Sequence, residues 1–194
     1  MRRKTFDALL TSAGLVLAIV MVAAGAMLLW AHSFVDSQVH DQLAAQQIYF
    51  PKAGSESLND PAVKPYLSQY AGQQLVNGAQ AEAYANHYIA VHINEMAGGK
   101  TYAQLSAQSL ANPNDTKLAG QVQTVFRGET LRGLLLNAYA FWKMGQIALI
   151  AAIAAFTAAG LLLILSVLGY AHLRTVPANA EVMPKLAGAA PHTA

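Results

Sequence analysis

The chain has 194 residues, of which 55% are hydrophobic and only 11% charged, less than half the roughly 25% charged residues of an average soluble domain. Its 12 basic and 10 acidic residues are scattered, for a formal charge of +2. No basic patch exists to hold a phosphate backbone, which excludes nucleic acid as a partner. There is no cysteine, so disulfides, thiol nucleophiles, iron–sulfur clusters, haem thiolates and cysteine zinc sites are excluded as well.

The charge deficit is concentrated in two stretches, residues 8–32 and 144–172. Residues 9–30 are uncharged and long enough, at 1.5 Å rise per residue, to cross a hydrocarbon core of roughly 30 Å. This run exceeds the roughly 7–15 apolar residues of a secretory signal core, so a retained span is expected despite Ala24-Gly25-Ala26, which resembles a cleavage site. Residues 144–170 form a second uncharged run with Gln146 as its one strongly polar side chain. Neither run carries an ionisable residue at its middle, which argues against ion conduction or proton relay by this chain alone.

Arg2, Arg3 and Lys4 stand before the first span and Arg174 follows the second. That bias predicts a two-pass plasma-membrane protein with both termini cytoplasmic and the central residues extracytoplasmic. Trp30 closes the first span, and Tyr139, Phe141, Trp142 and Lys143 open the second, as interfacial anchors at the outer surface. The expected division is a cytoplasmic N-terminus at 1–7, spans at 8–32 and 144–171, an extracytoplasmic cap at 33–143 and a cytoplasmic tail at 172–194. Residues 175–194, with Pro177, Pro184 and Pro191, are expected to be disordered without a partner.

Small residues repeat every four positions on the second span, at Ala148 and Ala152 and at Ala151, Ala155 and Ala159, and Gly14 and Ala18 supply a shorter face on the first. Such faces let helix backbones approach closely, either within a hairpin or against another integral membrane subunit.

Between the spans, Phe34, Val35, Val39 and Leu43 keep helical spacing, so the first helix should extend beyond the bilayer and stop before Pro51. Ile48-Tyr49-Phe50 is β-prone, and residues 51–65, rich in Gly, Ser, Asn, Asp and Pro, read as flexible connection rather than core. Residues 66–75 fit either a helical turn or a short extended element. After Asn77-Gly78, the positions Ala81, Ala85, Tyr88, Ile89, His92 and Met96 define one helical face, ended by Gly98-Gly99. Thr101 with Gln104 resembles a capping box for a helix through Leu110. From Thr116 the periodicity runs straight into the second span, weakened by Gly128 and Gly133 at about 1 kcal/mol each.

Chemistry has few candidates. His87 and His92, five apart, project about 140° apart on a helix, and only His92 and Glu95 share a side, so no metal site is expected. His32 and His40 read as solvated interfacial histidines. No serine has a nucleophile context, and Gly98-Gly99-Lys100 is a helix stop, not a phosphate loop. Glu82, Glu95 and Glu129 could include an acid and base pair, which spacing alone cannot bring together. Tyr84, Tyr88 and Tyr102 suit a core. No catalytic, cofactor or metal residue is assigned.

The segment from Ala79 to Ala85, with His87, His92 and Gly98-Gly99-Lys100-Thr101-Tyr102-Ala103-Gln104-Leu105, resembles a family of small actinobacterial two-span membrane proteins, as does Thr130-Leu131-Arg132 before the alanine-rich span. The resemblance implies a bacterial source and a helical hairpin. Some members carry an automatic label of aromatic-ring-opening dioxygenase, for which the histidine and carboxylate spacing here offers no iron ligand set. The expected fold is an all-α membrane protein, two transmembrane helices extended outward under a small helical cap. The expected role is a non-catalytic accessory or assembly subunit of a larger plasma-membrane complex, such as a respiratory oxidoreductase, with membrane lipid and other integral subunits as partners. The alternative is a module binding a lipid or small ligand between the projecting helices.

Overall fold

A computed structural model describes residues 2–177 and 180–182. Regular structure among the described residues is helical, without a strand, and the chain divides into two compact units: Met1–Trp30 with Leu149–Ala194, and Ala31–Ala148. Two helices dominate, α1 (Arg3–Ala45, 43 residues) and α7 (Thr116–Leu173, 58 residues). Both are long and apolar enough to cross a membrane, and only 11% of each apolar window is buried, unlike the core helix of a soluble protein.

In the first unit the two helices meet through small side chains. Thr11, Ala18 and Gly25 are buried on α1, and Ala152, Ala159 and Ser166 on α7. Each set repeats every seven residues, the spacing of helices that wind around each other left-handedly. A Cβ added to Gly169 would lie 2.5 Å from Thr11 Oγ1, and one added to Gly14 would lie 2.9 Å from Ser166 Oγ. Gly25 faces the ring of Phe156. The Ser166 hydroxyl donates to the Thr11 carbonyl at 3.3 Å, and the hydroxyls of Ser12 and Tyr170 lie 3.1 Å apart.

The alanines of the four-residue face expected on α7 share this contact unequally. Ala152 and Ala159 are buried at 1% and 2% exposure, whereas Ala148, Ala151 and Ala155 are only partly buried. A seven-residue repeat holds a contact line along paired helices, while steps of four drift across it. Near the start of α1, the Arg3 amide donates to the Ala180 carbonyl at 2.9 Å, and the backbones of Arg2 and Glu181 pair in an isolated antiparallel bridge. The rest of the expected tail disorder, at 178–179 and 183–194, lies outside the described residues.

The second unit packs short helices between parts of α1 and α7. These are α2 (Glu56–Asn59), α3 (Lys64–Leu67), a 3₁₀ turn (Ser68–Tyr70), α4 (Gly78–Tyr84), a π-turn (Ala85–Ile89), α5 (Ala90–Met96) and α6 (Tyr102–Ala111). The β-prone Ile48–Phe50 stretch forms only an isolated bridge, from Tyr49 to Gln74. Asn77 caps α4 by accepting from the Gln80 amide, and buried Gln80 accepts in turn from the Val76 amide. Thr101 and Gln104 make both bonds of the expected capping box, and Gly98 and Gly99 take φ of +60° and +75° to end α5. Residues 51–65 are not mere connection: single-turn helices put Leu58 and Val63 into the core with Leu67, Leu75, Leu105 and Val125.

Two glycines on α7 that look equivalent in sequence are not. Gly128 seats the Ile93 side chain, 2.6 Å from where a Cβ would be, whereas Gly133 faces open space. Gly78 is tighter still, since its Cβ would fall 2.4 Å from Trp142 Cβ. Gly133→Ala is therefore expected to stabilise the full chain by about 1 kcal/mol through helix propensity. Gly78→Ala should destabilise it by about 1–3 kcal/mol through overpacking. Thermal unfolding in mild detergent, followed by near-ultraviolet circular dichroism, reads both signs.

Candidate functional site

The sequence candidates converge on the helical segment from Gly78 to Met96. Its π-turn inserts one residue into the helical ladder, so the residues on either side face differently from those of a continuous helix. His87 leaves the segment toward α3, where its ring stacks on Tyr66 with centroids 3.6 Å apart and planes 6° apart. His92 instead packs on Tyr88 at 4.4 Å, and its Nδ1 lies 2.8 Å from the Tyr88 carbonyl. A carbonyl only accepts, so Nδ1 is the donor in this contact. Tyr88 continues to Tyr84, and Tyr84 meets Phe50 edge-on at 5.3 Å. The result is a run of packed rings, with the two histidines held apart by different partners. Among the described residues, no group of three metal-capable side chains gathers at one point.

The carboxylates are divided similarly. Glu82 accepts from the Asn86 amide at 2.9 Å, and Asn86 accepts from Arg132 at 3.2 Å. Arg132 also reaches Glu129 at 3.3 Å. Glu82 and Glu129 thus belong to one chain of polar contacts that ties the π-turn to α7, with the guanidinium between them. Glu95 is exposed and lies outside this chain. Buried Arg132 Nε has no hydrogen-bond partner among the described residues.

Two expected interfacial groups have inward roles. His32 is not simply solvated: its Nδ1 lies 3.0 Å from the Gly145 carbonyl, and it is partly buried. His40 remains exposed beside Asp41. Trp142 lies over Gly78 rather than pointing only outward, with Tyr139 stacked near it at 6.3 Å. Phe141, Lys143 and Trp30 are exposed.

An open cleft of about 500 Å³ lies between α1 and α7 within the second unit, with lining residues that sequence reasoning did not name. On α1 and the turn after it, an apolar row, Val35, Val39 and Leu43, runs beside an amide row, Gln38 and Gln42 on the helix and Gln46 just past its end. Each row steps by four residues, so both follow the helix lengthwise. The α7 wall presents Leu131, Leu134, Leu135, Ala138 and Phe141 with Asn137, and Ile48 completes the lining. The lining contains no charged side chain. Its volume and its mix of apolar wall and few amides match a site for an uncharged, mostly apolar ligand. The four-residue rows on α1 are legible in sequence, but their pairing with residues 131–141 is not.

Tyr84 has a measurable signature. Burial, and secondarily the charge of neighbouring Tyr88, push its phenol from 10.0 up to about 12. Between these values the unfolded chain loses the proton while the folded chain keeps it, so stability falls as pH rises from about 10 to about 12. Ultraviolet titration of tyrosinate should show a late component near pH 12 that is missing in Tyr84→Phe.

Compared with protein-family models, with curated proteins and with solved structures, the chain has no match.

Proposed function

We propose that this chain is a non-catalytic accessory or assembly subunit of a larger bacterial plasma-membrane complex. The observation that carries the reading is the division of labour on α1 and α7 in the first unit. Their small residues are consumed against each other, while Leu10, Ile19, Val20, Ile153, Ile164 and Val167 are all more than half exposed. Only lipid or further apolar helices can cover such a surface at no cost in water. The titratable groups that might suggest chemistry, His87, His92, Glu82 and Glu129, are engaged in ring packing or in the Arg132 chain, which supports a bracing role over catalysis.

In this reading both termini are cytoplasmic, from the basic residues at 2–4 and 174, and the second unit is extracytoplasmic. The actinobacterial two-span resemblance is part of the same proposal. The alternative, a ligand-binding module, is favoured by one observation, the α1–α7 cleft. Tyr84, Tyr88 and His92 do not line this cleft; Tyr88 packs on both of the other two rings.

Affinity purification of the tagged full chain from native membranes after crosslinking, with native sizing and mass spectrometry, tests the accessory role. The expected result is a stoichiometric integral membrane complex. Recovery of the chain alone would contradict it.

A further inference from the structure

We infer that the cleft between α1 and α7 in the second unit holds an acyl chain of a net-uncharged membrane lipid. This rests on the membrane reading above. The cleft has two sides of different chemistry running in parallel: Val35, Val39 and Leu43 offer an apolar track, and Gln38, Gln42 and Gln46 an amide track one helical step away. A methylene chain can lie along the first while ester or hydroxyl oxygens accept from the second. None of these three glutamine side chains, nor that of Asn137, has a hydrogen-bond partner among the described residues. They are left to solvent or to a ligand.

Position and charge argue for lipid rather than for a soluble ligand or a protein segment. The α7 wall ends at Phe141, within the aromatic cluster Tyr139–Trp142 that precedes the apolar run of the same helix. The apolar surface does not stop there: Leu134 (61% exposed) and Phe141 (59%) are followed by exposed Met144 and Ile147. A chain leaving the bilayer along α7 therefore meets apolar surface up to the cleft. With no charged lining residue, the cleft offers no counter-ion to an anionic headgroup and no ion pairs to a partner helix, the usual means of setting helix partner and register.

The test uses the full chain in phosphatidylcholine vesicles containing a phosphatidylcholine with a photoreactive diazirine in one acyl chain, followed by peptide mapping. Labelling is expected on peptides covering 35–48 and 131–141, in addition to the span 149–170. Two variants narrow the cleft, Leu134→Trp at an exposed position and Ala138→Trp at a partly buried one. Each should lose the cleft labels and keep the span labels. Labelling of the span with none in the cleft overturns this inference and leaves the membrane reading intact, whereas no labelling anywhere overturns both. Cleft labelling unchanged in both tryptophan variants also overturns it.

Discussion

The first unit depends on backbone proximity between α1 and α7. Gly14, Ala18 and Gly25 on one helix, and Ala152, Ala159 and Gly169 on the other, leave no side chain large enough to hold the helices apart. Close approach brings the Ser166 hydroxyl to the Thr11 carbonyl and the Ser12 and Tyr170 hydroxyls to each other. In hydrocarbon, where no hydrophobic drive joins apolar helices, packing of this kind and interhelical hydrogen bonds supply the association, at about 0.6 kcal/mol for an average hydrogen bond. The same economy leaves most of the large apolar side chains, such as Leu10, Ile19, Ile153 and Ile164, facing outward. Surface and seam are thus two consequences of one sequence pattern.

The second unit is held by different means. Its core is assembled from single residues donated by many short elements: Leu58 from α2, Leu67 from α3, Ile93 from α5, Leu105 from α6 and Val125 from α7. Polar groups fix the joints, with Gln80 and Asn77 at the entrance to α4 and Asn86 with Arg132 between the π-turn and α7. Such an arrangement leaves the α1–α7 cleft as a gap between well-supported walls, since Val39, Leu43 and Leu135 back it from the core. Ligand pockets are usually largely pre-formed in this way.

Local signals were readable. The length of α1 and α7, the Thr101–Gln104 capping box and the Gly98-Gly99 stop all follow from residues adjacent in sequence, and each is present. The register of the helix pair was not, because alanine occupies 148, 151, 152, 154, 155, 158 and 159 and satisfies four- and seven-residue spacing alike. Only the partner helix selects between them. The π-turn at Ala85–Ile89 has no residue signature, so the separation of His87 and His92 was assigned to helical angle when it also reflects two different stacking partners. Residues 51–65 were misjudged because their turn-forming residues mask Leu58 and Val63, which become core only once α2 and α3 turn them inward. The cleft needs residues 35–48 opposite 131–141, a pairing that no local pattern contains.

The central claim is the seven-residue register of α1 against α7. The chain has no cysteine, so introduced pairs report without background. A Cβ at position 169 would lie 3.3 Å from Thr11 Cβ, near the roughly 3.5 Å lower end of disulfide geometry. Thr11→Cys with Gly169→Cys, oxidised in membranes, should form an intramolecular disulfide, while Leu10→Cys with Leu168→Cys, both exposed at 64% and 59%, should not. Efficient bonding of the second pair, or only intermolecular bonding of the first, would contradict the register and the packing built on it.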